Sequence, residues 1–195
     1  MLEIGSIDIT EAPALEYREP YLLGNQDPNW HVRNFSNGHF PKITSRLGGR
    51  VKYDPFVHSF YTMVPPEKYF AEHPEYYAQI NGKRVGERAQ LCLSNEDVFQ
   101  IVLGQLRKRL DQDPDITIVS VSQNDCAGAC TCEKCRKTDE EEGSPAGSMI
   151  RFVNRIAEAL EKDYPRLRID TLAYQYTRTA PKLTRPAPNV CVRIC

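Results

Sequence analysis

A near-continuous apolar run, ITIVSVS at residues 116–122, stands between two segments of helical periodicity. This alternation constrains the fold more than any other feature. The run is rich in β-branched residues, as in a strand buried on both faces of a parallel sheet. Upstream, Asn95 is placed to cap EDVFQIVLGQLRKRLDQ, where Val98, Ile101, Val102, Leu106 and Leu110 fall at helical spacing. Downstream, Ser148 is read as the cap of a second helix with Met149, Phe152, Val153, Ile156, Ala157 and Leu160 on one face. Strands that alternate with helices imply parallel βαβ units.

Other segments extend the pattern. ALEYREPY (14–21) reads as a first strand, and Asp27-Pro28 as a helix start with Gly38 as its stop. Residues 50–62 are β-rich and interrupted by Pro55. A short helix starts at Pro65-Pro66 and ends before Pro74, and Asn81-Gly82 marks a hairpin. RAQLCLS (88–94), RIDTLAYQY (168–176) and NVCVRIC (189–195) read as further strands, and the charged run Lys137–Glu142 as a solvated loop. Neither a repeat nor a low-complexity segment occurs.

Two architectures accommodate this order, an open doubly wound sheet and a (β/α)8 barrel. No strand leads into a glycine-rich phosphate loop, which counts against a nucleotide-binding sheet. The strand ends carry side-chain chemistry instead, as the mouth of a barrel does. The expectation is an α/β fold of the parallel (β/α)8 TIM-barrel type. It would be one partial domain over residues 1–195, truncated after about six strands.

Composition narrows the function classes. A net charge of -1, with 26% charged residues, offers nothing for nucleic acid or an anionic membrane surface. No apolar run approaches the roughly 18 residues of a membrane helix. The first ten residues, MLEIGSIDIT, lack a basic n-region and a long apolar core, so they are no signal peptide. The chain is therefore expected in the cytoplasm, or outside it if an export signal lies upstream. Seven cysteines are an odd number, so at least one cannot pair within the chain. Fourteen prolines and ten tyrosines suit loops with amphipathic aromatic surfaces, which are common in sugar clefts.

Several strand ends carry candidate site residues. Gln123, Asn124 and Asp125 close the 116–122 strand, either as site groups or as an Asx turn. Arg18 can fork onto sugar hydroxyls or a carboxylate, or pair locally with Glu16 or Glu19. His58 can bond a sugar hydroxyl or couple to Asp125, or serve as a structural histidine. Tyr174 and Tyr176, two apart on one strand, would face the same side, to stack on a sugar or to fill a barrel. Cys126, Cys130, Cys132 and Cys135 give C-x3-C-x-C-x2-C, which contains half of a zinc knuckle. Cys130, Cys132 and Cys135 are candidate metal ligands with Cys92 as a fourth partner, whereas His31, His39 and His73 lie far off in sequence. Three readings stand for this cluster: a structural zinc, a disulfide with spare thiols, or reduced cysteines. No Cys/His/Asn arrangement points to a thiol nucleophile.

In order along the chain, PALEYREP, FVHSFYTMVPPEKYFAEHPEYYAQINGKR, QLCLSNEDV, SVSQND followed by CTCEKC, FVNRIAEALEKDYP, TLAYQYT and NVCVRIC resemble one family. It is the domain of unknown function family 4838, found among bacterial glycan-degrading proteins. The resemblance implies a TIM-barrel, glycoside hydrolase-like domain, similar to endo-β-N-acetylglucosaminidases and, more distantly, to hexosaminidase and α-glucuronidase barrels. It implies Asp125 as general acid and Asn124 as the group orienting a substrate acetamide, and it calls for no cofactor. The Asn-Asp pair departs from the Asp-Glu of the hexosaminidases, and Asn124 cannot stabilise an oxazolinium cation as a carboxylate does. Relative to the family, the chain lacks a C-terminal barrel part, a secretion signal and an N-terminal accessory domain, so a fragment of a longer protein is expected. The expected function is hydrolysis of a glycan, N-acetylhexosamine-containing by resemblance, with non-catalytic carbohydrate binding as the alternative. A zinc-stabilised interaction domain centred on the cysteine loop is a third reading.

Overall fold

In the computed structural model, which describes residues 5–6, 8–20, 22 and 27–195, the chain divides into two units, Met1–Val51 and Lys52–Cys195. The first unit contains α1 (Pro28–Arg33). Asp27 caps it as the sequence predicts, its side chain accepting from the Asn29 amide at 3.0 Å. The helix ends at Asn34, four residues short of Gly38. The strand expected at 14–21 does not form over residues 14–20, and Tyr21 lies outside the described residues. Asn37 clips that segment instead. Its side-chain amide donates to the Glu16 carbonyl at 2.8 Å, and its oxygen accepts from the Arg18 amide at 2.9 Å. A β-prone run without a ladder partner stays irregular.

The second unit holds the parallel core. β1 (Lys52–Tyr53) stops at Asp54-Pro55, whose peptide bond is cis. Two short helices follow, α2 (Phe60–Met63) and α3 (Pro66–Tyr69). The hairpin predicted at Asn81-Gly82 forms between β2 (Gln79–Ile80) and β3 (Lys83–Arg84), with both turn residues at positive φ as a primed turn requires. The strand expected over 88–94 reduces to one bridge, Tyr77 to Leu91. α4 (Glu96–Gln112) starts where predicted, the Asn95 oxygen accepting from the Asp97 and Val98 amides at 2.8 and 3.2 Å. β4 (Ile116–Ser120) follows.

The run read as a solvated loop is the second half of α5 (Glu133–Glu142). It has no apolar stripe to betray it. Gly143, at φ 69, closes it in a left-handed cap, and Arg136 pairs with Glu140 one turn on. α6 (Ala146–Glu161) begins two residues before the predicted cap. Ser148 lies inside it and donates to Asp139 of α5 at 2.5 Å. β5 (Arg168–Ala173) and β6 (Val190–Ile194) complete the set.

β1, β4, β5 and β6 form one four-stranded sheet in that order, every pair parallel. Among the described residues the fold is mixed α/β, with four parallel strands and a separate hairpin where about six strands were expected. The buried faces of α4 and α6 pack together with Val119, Val121 and Ile169 in one core. Among the described residues, no helix is long and apolar enough to cross a membrane.

Glu142, fully buried, joins α5, α6 and the segment 182–184. It accepts from the Leu183 and Thr184 amides at 2.9 and 3.0 Å, from the Thr184 hydroxyl, and from Arg151. Gly147 leaves room for it, since a Cβ there would stand 2.2 Å from the Glu142 Cγ. The Thr184 hydroxyl, then the Thr184 and Leu183 amides and Arg151, hold the carboxyl down to about 2 from 4.5. A value depressed by folding stabilises the native state above the ordinary carboxylate range, and this contribution is lost as pH falls toward 2. Glu142→Gln is therefore expected to lower Tm by several degrees at pH 7 and by less at pH 3. Thermal melts of both proteins at the two pH values check it.

Candidate active site and cysteine centre

The carboxyl ends of β1, β4 and β5 lie side by side because the strands are adjacent and parallel. Three of the predicted residues meet there. His58 follows β1 in a tight turn that locks onto the end of β4. Its amide donates to the Ser122 hydroxyl at 2.9 Å, and the Phe60 amide to the Ser122 carbonyl at 3.2 Å. His58 sits at φ 60, a left-handed conformation that a non-glycine residue adopts at a cost, and such strain clusters at functional sites. Its Nδ1 lies 2.8 Å from the Gln123 carbonyl. A carbonyl only accepts, so Nδ1 carries a proton toward it.

Asp125 is exposed, and Tyr174 donates to its Oδ1 at 2.8 Å. The His58 and Tyr174 rings stand 5.7 Å apart. An imidazole, a carboxylate and a phenol from three strand ends thus form one cluster. It offers a base or acceptor, a proton-bearing group and an aromatic edge.

The neighbouring polar residues build the floor. Gln123 is fully buried, and its side-chain amide donates to Thr177 Oγ1 at 2.8 Å and to the Tyr174 carbonyl at 3.1 Å. Among the described residues, its own oxygen has no partner. Asn124 has its carboxamide engaged at both ends, accepting from the Tyr61 amide at 3.1 Å and donating to the Ala89 carbonyl at 2.8 Å. Those bonds hold the loop with one of the carboxamide's two N–H groups and one of its oxygen's two lone pairs. Gln90, which the sequence did not single out, completes the hold. It accepts from the Asn124 amide at 2.9 Å and donates to the Cys126 carbonyl at 2.7 Å.

Two expected residues are held by other partners. Arg18 belongs to the first unit, on no strand end, and its guanidinium donates to the Leu15 and Phe35 carbonyls. Tyr176 does not share a face with Tyr174, because β5 ends at Ala173 and residues 175–177 turn in a 3-10 helix. The turn breaks the two-residue alternation. Tyr176 lines a small cavity with Cys130, Cys135 and Asp139, and burial pushes its phenol up.

Cys92, Cys130, Cys132 and Cys135 are all buried, and their sulfurs lie within 4.8 Å of one another. Cys92 Sγ is 3.7 Å from that of Cys132 and 4.0 Å from that of Cys135. None of the seven cysteines is in a disulfide. Thiols this close resist ionising together unless a cation offsets their charge. Hydrogen bonds from Cys130 and Cys135 hold Cys92 below the ordinary thiol range, while those with Cys130 and Cys92 hold Cys135 above it. His31 and His39 lie in the first unit, and His73 bonds Glu75 at 3.2 Å. The sequence offered Cys92 as a fourth partner from a neighbouring strand end, and it stands with the other three. The Tyr77–Leu91 bridge and the loop after it bring it in.

A family model described as Domain of unknown function (DUF4838) matches residues 1–195. No curated protein matches the chain. Among solved structures, a variant of the GH36 alpha-galactosidase AgaA from Geobacillus stearothermophilus, in complex with 1-deoxygalactonojirimycin, is similar at 15% identity and a TM-score of 0.34. The match covers 53% of this chain and 14% of that one.

Proposed function

The chain belongs to the DUF4838 family, and from that premise we propose that it is a glycoside hydrolase-like domain that binds carbohydrate at the carboxyl ends of its parallel strands. The observation that carries the reading is the convergence of His58, Asp125 and Tyr174 from three adjacent strand ends. Brought there, a carboxyl and an imidazole can serve as proton donor and hydroxyl acceptor, and a phenol can pack on a sugar ring. Asp125 is the general acid that protonates the leaving oxygen, and Tyr174 fixes its orientation. Gln123 and Asn124 position the turn that carries it. An N-acetylhexosamine is the sugar this reading favours, by family resemblance. No cofactor takes part at the strand ends.

The sheet is read as an arc of a (β/α)8 barrel. Its order β1-β4-β5-β6 runs monotonically along the chain. Right-handed crossovers then put every helix on one face, as in a barrel, and leave no switch point of the doubly wound kind.

Non-catalytic carbohydrate binding is the second reading. It is favoured by the exposure of Asp125. The test is hydrolysis of a panel of aryl glycosides and an N-glycopeptide by the full-length protein. Turnover is the expected result. Glycan binding by calorimetry with no turnover on any substrate moves the assignment to a binding domain.

A further inference from the structure

We propose that Cys92, Cys130, Cys132 and Cys135 bind one zinc ion as a closed tetrathiolate centre, and that this centre holds the turn bearing Asp125. Four thiolates at about 2.3 Å from a tetrahedral zinc stand about 3.8 Å apart. The separations of 3.7 and 4.0 Å, with all four sulfurs inside 4.8 Å, fit that polyhedron. They do not fit a disulfide, whose sulfurs are bonded at about 2.05 Å. Four sulfur ligands and no water position make the site structural rather than catalytic.

The surroundings match the charge such a centre carries. A zinc tetrathiolate is a dianion, and it is stabilised by donors to sulfur. The Gln79 amide donates to Cys130 Sγ at 3.3 Å. The Ser94 hydroxyl lies 3.4 Å from Cys92 Sγ and 3.6 Å from Cys132 Sγ, and can donate its one proton to one of them. The Arg84 guanidinium, anchored on the Tyr77 carbonyl at 2.7 Å, reaches Cys130 Sγ at 3.8 Å. Cys92 and Cys132 line an open depression of about 320 Å³, which gives the ion a way in. Binding replaces four S–H bonds by four S–Zn bonds and releases the thiol protons to water. No electron is transferred, so the cysteines need only be reduced.

The centre joins two segments that the strand-end site also uses. Cys92 closes the segment whose Ala89 and Gln90 grip Asn124 and Cys126. Cys130, Cys132 and Cys135 close the loop that starts at Asp125 and enters α5. One ion cross-links both sides of the turn at Asn124-Asp125.

The test is metal analysis of the full chain purified under reducing conditions, followed by exchange of the metal for cobalt(II). One zinc per chain, and the intense thiolate-to-cobalt charge-transfer and d–d bands of a tetrahedral tetrathiolate, are the expected results. Ser94→Ala should weaken zinc binding by roughly 10- to 100-fold, as loss of a supporting hydrogen bond does. Cys126→Ser, outside the cluster, should leave it unchanged. Chelation of the zinc should raise hydrogen exchange across 124–135 in the wild type. A reduced, folded wild-type chain that takes up neither zinc nor cobalt overturns the proposal, as does a cobalt spectrum with fewer than four sulfur ligands. Unchanged exchange at 124–135 on chelation would remove the link to the Asp125 turn. These readouts do not depend on glycoside turnover.

Discussion

Asp125→Asn is expected to lower kcat of the full-length protein by roughly 100- to 10,000-fold on glycosides with poor leaving groups, while KM changes little. Asparagine preserves the shape of the side chain, and Tyr174 can still donate to its oxygen, so the turn should persist. What is lost is the proton. The loss should depend on the leaving group, because an aryl oxide that departs readily as an anion needs little protonation. The mutant should therefore approach the wild type on an activated dinitrophenyl glycoside and fall furthest behind on an alkyl glycoside or N-glycopeptide. A uniform loss across leaving groups would assign Asp125 a binding or structural role. Undiminished turnover on poor leaving groups would place the acid elsewhere.

Phe152→Ala is expected to destabilise the second unit by about 3–5 kcal/mol, the usual range for truncating a buried phenylalanine. Phe152 lies on the buried face of α6 and is 2% exposed. Its ring meets Phe60 and Phe99 edge-on, with centroids at 6.3 and 6.1 Å. Those partners come from α2 and α4, so alanine leaves a hole where three helices meet rather than at an edge that can collapse. At about 2–4 °C per kcal/mol for a chain of this size, Tm should fall by roughly 6–20 °C. Far-UV circular dichroism is the suitable probe, because the single tryptophan, Trp30, lies in the first unit. A melt within a degree or two of wild type would show that α6 is not packed as described.

The helices that sequence reasoning located best are those whose signals are local. Asn95 and the apolar spacing through Leu110 define α4 without reference to anything else in the chain. Asp27-Pro28 does the same for the start of α1, and Asn81-Gly82 for the hairpin. α5 was missed because it is polar around its circumference. Its order comes from Glu142, Asp139 and Cys135, each satisfied by residues of other elements. RAQLCLS was over-read for the opposite reason. Residues 89–92 are buried, but burial comes from the loop and helices around them, and among the described residues only Leu91 finds a bridge.

The candidate site shows the same division. The sequence by itself determined that polar groups close the β4 strand, that cysteines crowd the loop beyond it, and that helix and strand alternate into a parallel sheet. These follow from residue type and short-range spacing, which depend on backbone geometry alone. Only the tertiary structure decided which candidates meet. It joined Tyr174 to Asp125 and set His58 beside Tyr174, engaged the Asn124 carboxamide with backbone, and kept Arg18 on carbonyls of the first unit. It also separated Tyr176 from Tyr174 by ending β5 one residue before the pair, and brought Cys92 to three cysteines about forty residues away. Such contacts are set by strand order and register, and these are properties of the whole sheet that no local window of residues contains.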